Sequence, residues 1–225
     1  PWHGEYMKRE GNLLDAISAV DLRPFAVPSM DQGSQPTSAS IAVVSAYMLL
    51  MRMQNQTAIL PSIADVHAIA TLAADGTELA PSLVRAAAAL TGGVCAHDDS
   101  DYDAPDCVQA SLVLRKVEAN CEQLCACLEE SACVVCALRF ADSAVEDGVW
   151  STDDVVGAGA GVVCMLIVGY SVFDRIFLCQ MPWGMRFGER GFLRLPFEYI
   201  DSTTVIEAFA CELRDRCDTQ QPLFV

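Results

Sequence analysis

Apolar residues recur with helical spacing through the first half of the chain. This pattern predicts helices over Ser38–Met53, Ile63–Ala73 and Leu79–Leu90. The pair Gly92–Gly93 predicts the end of the third helix, because glycine readily adopts the backbone conformation that follows a helix. The first half is therefore predicted to be helical.

The second half changes to short apolar runs that are typical of strands. A helix over Val117–Glu130 comes first, with cysteines and leucines recurring on one face. Predicted strands then follow at residues 133–140, 162–170, 175–181, 191–195 and 204–210. A helical lobe followed by a mainly β lobe is an α+β arrangement, with the boundary near residues 105–116.

Composition narrows the range of partners. The 225 residues are 52% hydrophobic, which is enough for one large domain or two small lobes with a core. The net charge of -16 argues against nucleic acid and against anionic membrane surfaces. Residues 155–173 carry no charge, but four glycines interrupt them, and Asp154 and Asp174 flank them. We interpret this stretch as a Gly-rich loop that enters a buried strand rather than a membrane span.

The eleven cysteines are an odd number, and most stand among Val, Leu and Ala. A free thiol in such surroundings behaves as a small apolar group, so we expect reduced thiols and an intracellular, reducing compartment. The first ten residues, PWHGEYMKRE, lack the apolar run of a secretory signal. Cysteines that could suggest zinc are Cys121, Cys125, Cys127, Cys133 and Cys136. Their placement on a helix and on both faces of a strand disfavours a shared ion, but a thiol-based metal or redox protein stays an alternative.

Three motifs follow one another at long separations. Residues 31–38 read DQGSQPTS at the start of the first predicted helix, and residues 161–170 read GVVCMLIVGY in a predicted strand. Residues 181–192 read MPWGMRFGERGF. In this order the motifs resemble those of the papain-like cysteine peptidases, most closely the short forms of bacteria and large DNA viruses. The resemblance covers about residues 20–210.

The resemblance implies a two-lobe fold with a cleft between the lobes. It implies an N-terminal segment over 1–25 that packs on the C-terminal lobe, a helical lobe over 26–110, and a β-barrel-like lobe over 111–225. The cleft is then expected to lie between the start of the first long helix and the strand over 162–170.

The differences from the family fall on its chemistry. The family mechanism uses a cysteine thiolate, a histidine and an asparagine, together with a glutamine that donates to the oxyanion. The motif match puts Ser38, Val163 and Met181 at the first three positions and retains Gln32. From these replacements we predict a protein that is not an enzyme, requires no cofactor or metal, and serves as a protein-binding, peptide-binding or structural module.

Two sides of the implied cleft are candidates for peptide binding. The resemblance assigns one side to Asp75, Gly76 and Thr77, and the other to Gly161 and Trp183. An extended peptide could add to such a cleft as a further strand, with a protein or peptide as the unknown partner. A residual hydrolase that uses Ser38 with an unrecognised base stays an alternative.

Overall fold

The computed structural model describes residues 6–9, 12–17, 19–72, 82–96, 107–130, 133–140, 145–146, 149–150, 161–200 and 204–214. Its helices are α1 (Ser38–Met53), α2 (Ile63–Leu72), α3 (Leu83–Gly92), α4 (Cys121–Glu129) and the single turn α5 (Phe197–Ile200). The strands β1 to β5 are Tyr6–Arg9, Asn12–Ile17, Ala19–Asp21, Val94–Cys95 and Cys107–Val108. Those from β6 to β9 are Leu112–Lys116, Cys133–Phe140, Val145–Glu146 and Val149–Trp150. Those from β10 to β13 are Gly161–Ser171, Ile176–Gln180, Phe192–Pro196 and Val205–Leu213.

One large sheet organises the second half of the chain. Its strand order is β6-β13-β7-β10-β11-β12-β9-β8, and neighbours pair antiparallel except β12 with β9. Helix α1 packs on β10, β7 and β13 and also contacts α2 and α3. Every residue from Ala39 to Leu50 is buried, as expected for a helix that is apolar on all sides. The predicted α+β fold is confirmed.

The helix boundaries differ from prediction where a polar side chain caps the backbone. Helix α4 begins at Cys121 rather than at Val117, because the side chain of Asn120 accepts a hydrogen bond from Gln123 N at 2.9 Å. Helix α3 begins after Ser82, whose hydroxyl accepts from Arg85 N. The stretch predicted ahead of it, residues 79–81, lies outside the described residues.

Most of the uncharged stretch over residues 155–173, from Gly161 to Ser171, forms β10 in the middle of the sheet, and residues 155–160 lie outside the described residues. No helix within the described ranges is both long enough and apolar enough to cross a bilayer.

The segment before α1 is joined to the sheet through β3. Strand β3 pairs with the end of β10, where Gly169 lies opposite Asp21. A Cβ atom on Gly169 would overlap the carbonyl oxygen of Val20, so only glycine allows the two strands to approach this closely. Next to β3, the guanidinium of Arg23 donates hydrogen bonds from Nε and Nη2 to the carboxylate of Asp21, and the shorter bond, from Nη2, is 2.8 Å. The division into three parts at residues 25 and 110 stays a prediction.

Candidate functional site

Backbone hydrogen bonds hold the first and third sequence motifs together. Gln32 N donates to the Pro182 carbonyl at 2.9 Å, and Gly184 N donates to the Met30 carbonyl at 3.1 Å. Asp31 and Trp183 form an isolated antiparallel bridge between these bonds. The loop that leads into α1 is therefore fixed against the chain that follows β11.

Side-chain hydrogen bonds connect the same two segments of the chain. The amide nitrogen of Gln180 donates to the Val27 carbonyl at 2.7 Å, and the Ser29 hydroxyl donates to the Met181 carbonyl. Gln180 and Ser29 are both buried, so these bonds form away from bulk water. Met181, predicted to stand at the asparagine position, is also buried, and its apolar side chain belongs to the core.

A tight turn delivers Ser38 to the first position of α1. Gly33 has a φ of +53° and donates its N–H to Asp31 Oδ1 at 2.9 Å, and Gln35 N donates to the Gln32 carbonyl at 3.0 Å. Thr37 is the N-cap residue of α1, but its side chain makes no capping bond. The N–H groups of the first turn therefore remain oriented toward the space in front of Ser38, where the helix dipole favours negative charge.

Cys164 is the residue of β10 that meets Ser38. Its thiol hydrogen-bonds with Ser38, which is half-buried, whereas Cys164 itself is buried. Burial raises the pKa of Cys164 to about 12, the Ser38 hydrogen bond lowers it, and the nearby Glu207 carboxylate raises it. Cys164 is thus a neutral thiol at physiological pH.

Val163 lies beside this contact but on the other face of the strand. Successive residues of a strand point to opposite faces, and β10 pairs with β7 without a register shift from Gly161 to Ile167. Val163 is buried, and since Cys164 interacts with Ser38, alternation assigns the two side chains to opposite faces of β10. The motif match did not name Cys164, and its assignment of Val163 to the position facing Ser38 stays a prediction.

The first residues of β10 have one open edge. Strand β11 pairs with β10 only from Leu166 onward, and β7 covers the other edge from Gly161. Among the described strands, nothing pairs with the β11 side of Gly161–Met165. Val162 is 60% exposed here, although the residues after it in β10 are buried. The open edge thus combines backbone positions that no described strand pairs with an exposed apolar side chain, on the strand whose Cys164 interacts with Ser38.

The other predicted site residues have mixed placements. Trp183 is half-buried between the rings of Phe140 and Phe187, with both centroid distances at 4.6 Å. Gln32 is half-buried, and its Oε1 has no hydrogen-bond partner among the described residues. The predicted cleft wall over residues 75–77 lies outside the described residues.

The cysteines considered above for zinc are divided between α4 and β7. Cys133 and Cys136 are buried in the core, and the Cys121 thiol donates to the Phe197 carbonyl at 3.4 Å. In the described ranges, no group of three or more His, Cys, Asp or Glu residues is placed to hold a metal ion.

Comparison with known proteins gives matches only among solved structures. No family model matches the chain, and no curated protein matches it. Xylellain, a cysteine protease from Xylella fastidiosa, superposes with a TM-score of 0.75 over 94% of this chain and 92% of its own, at 19% identity. The chain has the papain-like fold.

Two further papain-like structures agree with this assignment. Digestive procathepsin L 3 of Tenebrio molitor larval midgut gives a TM-score of 0.67 at 17% identity, over 92% of this chain and 72% of its own. Bromelain from Ananas comosus, solved with the inhibitor E64, gives 0.65 at 14% identity, over 88% of this chain and 99% of its own. At these identities the likeness establishes the fold.

The comparison corrects one expectation. The prediction that the chain is not an enzyme is wrong on this finding, because the structures that share its fold are cysteine proteases. That prediction rested on the replacement of the family's catalytic cysteine, histidine and asparagine by Ser38, Val163 and Met181. Beside Ser38 the structure places the Cys164 thiol, a neighbour that the motif match did not name.

Proposed function

We propose that the protein binds an extended peptide in the predicted cleft, along the first residues of β10 and beside Ser38. The observation that carries this proposal is that no described strand pairs with the β11 side of Gly161–Met165. An unpaired strand edge offers alternating N–H and C=O groups, and an added peptide strand can satisfy them.

Three neighbouring features support binding at this edge. Exposed Val162 offers an apolar contact, and its cross-strand partner Arg139 is also exposed on the same face. The first-turn N–H groups of α1 can donate to a peptide carbonyl in front of Ser38. The loop before α1 is fixed by its hydrogen bonds to residues 180–184, so little conformational entropy is lost on binding.

Gly161→Trp is expected to weaken peptide binding at least tenfold. A Cβ on Gly161 meets no atom within 4 Å, so the fold tolerates a side chain there, while an indole fills the space beside β10. The measurement is selection of a random peptide library on the wild-type protein, followed by calorimetric titration of the enriched peptides into wild type and variant.

Gly92→Trp is the matched control, because Gly92 ends α3 and also has open space around its Cβ position. It is expected to bind the enriched peptides as the wild type does. Equal affinity of the Gly161→Trp variant, or the absence of any enriched peptide, would refute binding at this edge.

Hydrolysis of the bound peptide is a second candidate function, favoured by the cysteine proteases that share the fold. Attack by Ser38 Oγ on a peptide carbonyl would form an acyl-enzyme, the hydroxyl proton would pass through water to the departing amine, and the first turn of α1 would stabilise the oxyanion; a second water would then release the acid. Because burial keeps Cys164 protonated, its thiol would orient Ser38 rather than accept the proton. Cys164 is then a positioning residue.

If the enriched peptides are cleaved, Ser38→Ala is expected to lower the cleavage rate by about a thousandfold or more, since the nucleophile is lost. Mass spectrometry of the peptides measures cleavage, and labelling by a fluorophosphonate reports the reactivity of Ser38. Ser34→Ala, a change in an exposed serine of the same loop, is the control. Cleavage that persists unchanged in Ser38→Ala would contradict Ser38 as the nucleophile, and it would leave the proposal of peptide binding untouched.

We also propose a reducing compartment as the setting of this activity. Buried thiols support it: Cys127, Cys133, Cys136, Cys164, Cys179 and Cys211 lie in the core as unbridged cysteines.

A further inference from the structure

A concave surface that includes neither Ser38 nor Gly161 lies beside the segment before α1. It has a volume of about 630 Å³ and is bounded by residues 21–28, the end of α1 and residues 185–192. We call it the arginine groove, after Arg23, Arg52 and Arg190, which line it.

The carboxylates of the groove are already paired. Asp21 holds Arg23 at 2.8 Å, and Glu189 lies 3.3 Å from Arg23 and 3.5 Å from Arg194. The two acidic groups therefore neutralise Arg23 and Arg194. These paired side chains shape the wall of the groove, but together they add little net charge to it.

Arg52 and Arg190 carry the remaining charge. Arg52 is exposed, and its Nη1 donates one hydrogen bond to the Ala26 carbonyl at 2.9 Å. Most of the five N–H groups of its guanidinium are therefore available to a partner. Arg190 is exposed in a turn with a φ of +56°. Neither has a carboxylate partner among the described residues. Two unneutralised guanidinium groups thus share one groove in a chain whose net charge is -16.

An apolar strip accompanies these charges. Met185 is 39% exposed, and its sulfur accepts a hydrogen bond from Ser29 N at 3.2 Å, which holds the side chain in place. Pro28 is exposed, and Phe192 is half-buried along the same groove. A partner can therefore bury an apolar side chain here at the same time as it pairs with a guanidinium.

We propose that the arginine groove binds an acidic segment of a partner protein. Carboxylate side chains of the segment pair with Arg52 and Arg190, and an apolar side chain between them packs on Met185. Charge complementarity carries the assignment, since planar guanidinium groups match carboxylates with two parallel hydrogen bonds. A nucleic acid fits less well, because its continuous phosphate backbone would also face Asp21 and Glu189, which line the groove together with the arginines.

The first test uses two fluorescein-labelled peptides, Glu-Leu-Glu-Leu-Glu and its neutral counterpart Gln-Leu-Gln-Leu-Gln. Fluorescence anisotropy at low salt is expected to show at least tenfold tighter binding of the acidic peptide. Added salt should weaken that binding, because exposed charges are screened within about 10 Å at 0.1 M. Equal binding of the two peptides would overturn the proposal, as would stronger competition by an oligonucleotide than by unlabelled acidic peptide.

Substitutions then locate the binding. Arg190→Gln and Arg52→Gln are each expected to weaken acidic-peptide binding about threefold, and together about tenfold, as for exposed ion pairs. Arg175→Gln is the control: this exposed arginine pairs with Glu198 at 2.7 Å elsewhere on the surface, and binding should not change. Circular dichroism checks that each variant is folded. If the loss of the Arg52 hydrogen bond to Ala26 disturbs the fold, the binding measured for Arg190→Gln alone tests the groove.

The groove and the cleft are separable. Gly161→Trp fills the cleft and is expected to leave the acidic peptide bound, whereas the arginine variants should leave library-derived cleft peptides bound. Wild-type binding of the acidic peptide by the double arginine variant would refute the groove, whatever the outcome at the cleft.

Discussion

Between pH 7 and pH 10 the protein is expected to lose most of its free energy of unfolding, because buried thiols cannot ionise in the folded state. Burial raises the pKa of Cys136, Cys164 and Cys179, while for Cys133 the hydrogen bond to Cys211 is the main cause and burial adds to it. An unfolded cysteine has a pKa of about 8.5, so at pH 10 each thiol favours unfolding by about 2 kcal/mol. Four such groups amount to as much as about 8 kcal/mol, against a typical total stability of about 5–15 kcal/mol.

The sign follows from the proton balance. Above pH 8.5 the unfolded chain releases protons that the folded chain retains, so stability is complete below that pH and falls as the pH rises toward the folded-state values. Urea denaturation with a non-thiol reductant, repeated from pH 7 to pH 10.5, measures the slope. Replacing Cys136 and Cys179 with Ala should make the slope shallower by two protons. An unfolding free energy that stays constant to pH 10.5 would contradict the raised pKa values of the buried thiols.

Gly191→Ala is expected to destabilise the protein by about 4 kcal/mol, through strain and overlap together. The φ of Gly191 is +89°, a conformation that residues with a side chain rarely adopt. A Cβ there would overlap the Cβ of Ser29 and lie 2.7 Å from its hydroxyl and 3.1 Å from the Gly184 carbonyl. Ser29 in turn bonds to Met181, so the variant also loosens the junction that fixes the loop before α1.

Thermal and urea unfolding measure this effect. Gly161→Ala provides the comparison, because its Cβ meets open space, and its stability is expected to stay within about 0.5 kcal/mol of the wild type. If the Gly191 variant is as stable as the Gly161 variant, the close packing of Ser29 on Gly191 is not present in solution.

Most of the fold could be predicted because its elements carry strong local patterns. Helix α1 occupies Ser38–Met53 as predicted, since its long apolar run has the length of a helix and is bounded by polar residues. Strand β6 escaped prediction because its five residues, Leu112–Lys116, have little pattern of their own and are stabilised by pairing with β13. The start of α4 was misplaced because the Asn120 cap outweighs the helical spacing of the residues before it.

The α+β class, helix α1, the strands β7 and β10–β13, and the three motifs could all be identified in the sequence alone. Local periodicity and turn residues suffice for these features. The interaction of Cys164 with Ser38 became visible only in the folded chain, because in a strand buried on both faces every residue is apolar and the sequence does not show which face is which. The arginine groove likewise depends on the tertiary structure. Arg52 and Arg190 are far apart in sequence, and they share one surface only once α1 and the 185–192 segment are packed together.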